Sequence, residues 1–117
     1  MARILIADDD QAVRDLATRA LRSDGHTVTV ASDGSEAARA LASASFDLVI
    51  SDVEMPGSGG IELVQDFGKP GGPRFLLISG FVEKLTRLDA PAGASVATLA
   101  KPFTLEQLRA EVRRRLA

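Results

Sequence analysis

Six side chains hold most of the chemistry this chain could perform: Asp8, Asp9 and Asp10 in IADDD, Asp52 ending LVISD, Ser79 in LLISG and Lys101 in LAKPF. Clustered carboxylates repel one another unless a cation joins them. An oxygen-only set with free positions suits Mg²⁺, which keeps several waters and binds through one or two carboxylates plus phosphate. An ammonium and a hydroxyl opposite the metal would stabilise the equatorial oxygens of a transferring phosphoryl group. Asp52 is then the candidate nucleophile, forming an aspartyl phosphate. Singly, each residue has a plainer role. The Asp triplet could cap a helix and complement its dipole, Asp52 and Ser79 could begin turns, and Lys101 before Pro102 could be ordinary surface. The joint pattern, with one such residue at each of four strand ends, favours chemistry.

Those strand ends follow from apolar runs that recur with helical spacing between them. Strands are expected at Ile4–Ala7, Thr27–Ala31, Phe46–Ser51, Phe75–Ser79 and Val96–Leu99, and the alternation predicts an α/β domain with a parallel sheet. In an open parallel sheet the C-terminal strand ends share one edge, where ligands bind, so residues far apart in sequence become neighbours. A first helix is expected over Gln11–Ser23, with Val13, Leu16, Ala17, Ala20 and Leu21 on one face and Gly25 as its stop. A second runs from Ser35 to Ala44 with Ala38, Leu41 and Ala42 inward. Two short helices, Ile61–Phe67 and Phe81–Leu88, end at GKPGGPR and DAPAGAS. The last begins at a Thr104/Gln107 capping box, buries Leu105, Leu108, Val112 and Leu116, and places Arg113 to Arg115 at its C-terminus, where cations are favoured.

Composition narrows the function classes. A chain of 117 residues with 45% hydrophobic content suits a single domain over residues 1–117. The absence of Cys excludes disulfides and thiolate metal sites, and a single His makes zinc chemistry a poor fit. Net charge is −2, from 14 basic and 16 acidic residues, so no global field favours nucleic acid. No apolar stretch approaches the roughly 20 residues that span a bilayer. MARILIADDD turns acidic before a signal-peptide core could form, so a soluble cytoplasmic protein with no membrane partner is expected.

The segments RILIADDD, FDLVISDVEMPGSGGIEL, FLLISG and LAKPFTLEQL, in this order, resemble the receiver domain of bacterial two-component response regulators along the whole chain. The resemblance implies a doubly wound five-stranded (βα)5 flavodoxin-like fold. It implies that Asp52 accepts a phosphoryl group from a phosphohistidine on a histidine kinase or histidine phosphotransfer protein. Mg²⁺, with Mn²⁺ as a substitute, would be held by Asp8, Asp9, Asp52 and the backbone carbonyl of Glu54, with Asp9 the direct ligand of the acidic pair. Ser79 would be the switch hydroxyl and Lys101 the phosphate's ion-pair partner, presented by a cis Lys101–Pro102 bond. Gly80 would leave room beside the phosphate. A downstream protein partner would bind the face made by the helix before the fifth strand, the fifth strand and the last helix. Self-phosphorylation and self-dephosphorylation would be the only reactions.

Departures from the family pattern concern the readout. Thr98 stands where an aromatic switch residue is common, so an aromatic swing is not expected to carry the signal. MPGSGG replaces the frequent MPGMDG, with an expected loosening of the loop, while Glu54 and Phe81 flank the path of a hydrolytic water and are expected to slow phosphate loss. The chain ends after the last helix, which reads as a stand-alone receiver acting through another protein. MARILIADDD, ISGF and AKPFTLEQLRAEV look most like the CpdR type, an adaptor for the ClpXP protease. Two other functions compete. A haloacid-dehalogenase-like phosphatase would place its nucleophile in D-x-D after the first strand and carry a cap, neither of which fits. A phosphorylation-independent scaffold would show partner affinity indifferent to Asp52.

Overall fold

The computed structural model describes residues 1–80 and 90–117. The expected helix Phe81–Leu88, and with it Phe81, lies outside the described residues. The strands are β1 (Arg3–Ala7), β2 (Thr27–Ala31), β3 (Leu48–Asp52), β4 (Arg74–Ser79) and β5 (Val96–Ala100). The described helices are α1 (Gln11–Ser23), α2 (Gly34–Ser43), α3 (Gly60–Phe67) and α4 (Leu105–Leu116). All strand pairs are parallel, in the order β2-β1-β3-β4-β5. This is the expected doubly wound five-stranded sheet.

Alternation along each strand sorts the core into two layers. Ile4 and Ile6, Leu48 and Ile50, Leu76 and Ile78 pack with Ala17 and Leu21 of α1 and Leu108 and Val112 of α4. Leu5 and Ala7, Val49, Phe75 and Leu77 pack on the opposite side with Ala37 of α2 and Leu63 and Val64 of α3. Strands covered on both faces read as near-continuous apolar runs, and β3 is buried along its whole length, apolar until Ser51 and Asp52 at its C-terminal end. The edge strands β2 and β5 carry the mixed pattern instead, with Thr27, Thr29 and Thr98 exposed.

Local signals set the helix ends. Past the Asp24 cap, Gly25 takes φ +95°, its N–H donates to the Arg22 carbonyl and that of His26 to the Leu21 carbonyl, a Schellman closure. At α4 the Thr104 hydroxyl accepts from the Gln107 N–H (3.1 Å), and the Gln107 side chain accepts from the Thr104 N–H (2.7 Å).

Most elements shift by a residue or two at one end or both from the sequence-based expectations, and some details differ further. Strand β3 begins at Leu48 and includes Asp52, because the ladder to β4 continues to an Asp52–Ile78 pairing while Phe46 packs before it starts. Leu16 is 57% exposed, lying at the mouth of a groove between α1 and α4 lined also by Val13, Phe103 and Leu105. In α2 the inward stripe runs through Gly34, Ala37, Ala38 and Leu41, leaving Ala42 exposed. The helix starts one residue earlier than expected, and an Ala-rich stretch offers little contrast to define its inner face. Among the described residues no helix is long and apolar enough to cross a membrane.

Candidate functional site

The predicted residues converge at the C-terminal edge of the sheet. Asp8 follows β1, Asp52 ends β3, Ser79 ends β4 and Lys101 follows β5. Pairing of Ala7 with Ser51 sets Asp8 beside Asp52, and pairing of Ser79 with Ala100 sets Lys101 next to the β4 end. The Lys101 N–H donates to the Ser79 carbonyl (2.9 Å), and the Lys101–Pro102 peptide is cis. Asp8, Asp52 and Ser79 are buried, whereas Asp9 is exposed. One carboxylate oxygen from each of Asp8, Asp9 and Asp52 lies within 4.8 Å of the others.

The Asp triplet divides its labour. Asp10 caps α1, its Oδ1 accepting from the N–H groups of Ala12 (3.0 Å) and Val13 (3.4 Å). The plain capping reading thus holds for one residue of the three. Asp8 Oδ1 accepts the Asp10 N–H (2.9 Å), which fixes the carboxylate, while Asp8 Oδ2 is buried with no hydrogen-bond partner among the described residues. A buried carboxylate oxygen left unpaired is costly. Arg14, not anticipated from sequence, reaches back from α1 and donates from Nη1 to the Asp8 carbonyl oxygen (2.6 Å). Only its position six residues on, one helical turn past the cap, could have suggested that contact.

Asp52 is held at both oxygens. Its Oδ2 accepts from Lys101 Nζ at 2.8 Å, and its Oδ1 accepts the Glu54 N–H at 3.1 Å. The adjoining surface is a depression lined by Asp9, Glu54, Met55, Pro56, Gly59 and Glu62. Among the described residues, a Cβ on Gly80 would meet nothing within 4 Å.

Electrostatics follow from this packing. Burial raises the Asp8 carboxyl above its ordinary value; the Asp10 N–H opposes the rise, Asp52 adds to it, Lys101 opposes it and Asp9 adds. Partial burial works against the Lys101 ammonium, but the hydrogen bond and charge of Asp52, with Asp8 and Asp9 beyond it, outweigh that and raise its pKa. Three carboxylates, one with a buried oxygen unpartnered among the described residues, form a hard, oxygen-only donor set that Lys101 only partly neutralises. Such a set fits a divalent cation of the Mg²⁺ kind.

Residues 4–113 match the family model described as response regulator receiver domain. The chain belongs to the response regulator receiver family. As a receiver it is similar to the response regulator MprA of Mycobacterium ulcerans, 38% identical over 115 residues that cover 95% of this chain and 48% of that protein. It also resembles the sensor kinase CckA of Brucella abortus, 36% identical over 118 residues, or 98% of this chain and 12% of the kinase. The chain therefore spans about half of the first relative and about an eighth of the second. Among solved structures, chemotaxis response regulator CheY4 of Vibrio cholerae superposes with a TM-score of 0.86 at 30% identity, covering 99% of both chains. Response regulator protein TrrA of Thermotoga maritima, in complex with Mg²⁺ and BeF, gives 0.84 at 30% identity, covering 99% of this chain and 100% of that one. The receiver domain of hybrid histidine kinase CckA gives 0.80 at 36%, covering 98% and 99%. Receivers are signalling phosphoacceptors and not enzymes in the ordinary sense.

Proposed function

We propose that this receiver accepts a phosphoryl group on Asp52 from a histidine kinase or histidine phosphotransfer protein and so changes its protein contacts. The observation that carries the reading is the pairing of the Asp52 carboxylate with Lys101 Nζ at 2.8 Å beside an Asp8 Oδ2 unpartnered among the described residues. In the reaction an Asp52 oxygen attacks phosphorus, the P–N bond to the donor imidazole breaks, and the imidazole takes up a proton as it leaves. Lys101 turns from the Asp52 carboxylate to an oxygen of the arriving phosphoryl group, and the Ser79 hydroxyl donates to another. Asp8, Asp9, Asp52 and the Glu54 carbonyl would hold Mg²⁺ or Mn²⁺, which supplies neutralisation of the phosphoryl oxygens. The likeness to a receiver whose structure holds Mg²⁺ and BeF supports Mg²⁺ as the cation.

Incubation with a small phosphodonor and Mg²⁺ should add one phosphoryl group, seen as a gain in intact mass that Mg²⁺ chelation prevents. No gain in mass would overturn the reading. The narrower role, a CpdR-like adaptor for a ClpXP-type protease working through β5 and α4, is supported by the likeness of MARILIADDD, ISGF and AKPFTLEQLRAEV. Immobilised chain with and without Mg²⁺ and beryllofluoride should retain different proteins. Identical sets would instead favour a scaffold indifferent to phosphorylation.

A further inference from the structure

The loop from Val53 to Gly59 touches the acceptor at one end and α2 at the other. At the acceptor the Glu54 N–H donates to Asp52 Oδ1 (3.1 Å), and the Val53 N–H donates to the Ile78 carbonyl (2.9 Å). At the far end the Gly34 N–H donates to the Pro56 carbonyl (3.3 Å). Gly34 opens α2, and a Cβ there would fall 1.7 Å from the Ser58 carbonyl oxygen. The loop closes on itself in the same way, since a Cβ on Gly59 would fall 2.0 Å from the Val53 carbonyl oxygen. Real Cβ atoms essentially never come within 3.0 Å of such an atom, so both approaches exist only because glycine stands there. The glycines expected to loosen MPGSGG therefore coincide with close backbone packing.

We propose that Gly34 is a positioning residue for the acceptor site. The first turn of α2 seats the 53–59 loop, and the seat fixes the Glu54 backbone that borders Asp52. The proposal rests on the acceptor-site reading, in which Glu54 lends its carbonyl to the cation, and adds to it a dependence on α2. Metal bound among Asp8, Asp9 and Asp52 is then felt at Gly34 and Ser35, on the side of the sheet away from α1 and α4.

Gly34→Ala must push the Ser58 carbonyl away, from 1.7 Å to beyond 3.0 Å. Calorimetric titration with Mg²⁺ should show affinity weakened by about tenfold, the scale at which groups supporting metal ligands act. Gly71→Ala is the control, because Gly71 has φ +76° and, among the described residues, nothing within 4 Å of a built Cβ. It strains the backbone before β4, at the other end of the sheet, and should leave Mg²⁺ affinity unchanged. The wild-type chain gives a second measurement that does not depend on a variant folding: Mg²⁺ should shift the amide NMR signals of Gly34 and Ser35 together with those of Asp9 and Glu54, and leave Gly71 in place. A folded Gly34→Ala protein with wild-type affinity would overturn the proposal. So would Mg²⁺ shifts at Asp9 and Glu54 with Gly34 and Ser35 unmoved. If Mg²⁺ moves none of these signals, the acceptor-site reading falls and the proposal with it.

Discussion

Asp52→Asn is expected to lose phosphoryl uptake from a small phosphodonor completely, with the fold retained. The amide that replaces the carboxylate carries no negative charge and is a poor nucleophile, so the bond-forming step has no attacking group. Its remaining oxygen can still accept the Glu54 N–H, now 3.1 Å from Asp52 Oδ1, so the loop after β3 keeps its anchor. Lys101 loses its ionic partner, but repulsion with Asp8 and Asp9 is relieved as well, and the two changes oppose each other in stability. Intact-mass measurement beside the wild-type chain reads the result. A gain of mass on the variant equal to wild type would mean that another side chain is the nucleophile.

Asp8→Asn should stabilise the metal-free fold and sharply reduce its stabilisation by Mg²⁺. In the metal-free protein, burial foremost raises the Asp8 carboxyl, with Asp52 and Asp9 adding to the rise. The folded state thus holds this proton more tightly than the unfolded chain does, whose Asp titrates near 3.9. The sign follows by linkage: ionised Asp8 destabilises the fold above its raised pKa, and the penalty fades as pH falls through that value toward the unfolded one. Asn carries no such penalty, so the metal-free variant should be more stable than wild type at neutral pH. Wild type, in turn, should gain about 2.7 kcal/mol when Mg²⁺ stands at about 100 times its dissociation constant, whereas the variant gains far less. Because Mg²⁺ must displace the Asp8 proton, wild-type affinity should decline on acidification sooner than at a carboxylate of ordinary pKa. Urea unfolding with and without Mg²⁺ at several pH values measures all three effects. Equal Mg²⁺ stabilisation of variant and wild type would remove Asp8 from the ligand set.

The parts of this fold that were legible in the sequence are those where one physical demand acts alone. Strands β1, β3 and β4 are buried on both faces through their middles, where they read as apolar runs; the capping box at Thr104 and the stop at Gly25 depend on chemistry within a few residues. The convergence of Asp8, Asp52, Ser79 and Lys101 was legible because a parallel sheet gathers strand ends on one edge. Less legible was which of three identical neighbours does what. Asp10 caps α1 while Asp8 turns inward, a division set by backbone direction at the turn and not by residue type. The inner face of α2 was misread at Ala42 because alanine marks neither face, and Leu16 because the groove between α1 and α4 depends on how two distant helices meet. The glycines of MPGSGG read as loss of side chains, whereas the closeness of Gly34 to Ser58 exists only once α2 and the loop are packed.

The central claim, that Asp52 is the residue which takes the phosphoryl group, is tested most directly by locating the modification. Borohydride reduces an acyl phosphate to an alcohol, so an aspartyl phosphate becomes homoserine at its own position. The wild-type chain, treated with a small phosphodonor and Mg²⁺ and then reduced, should yield homoserine at position 52 on peptide mass analysis and at no other position. Homoserine at position 8 or 9, with Asp52 intact, would contradict it.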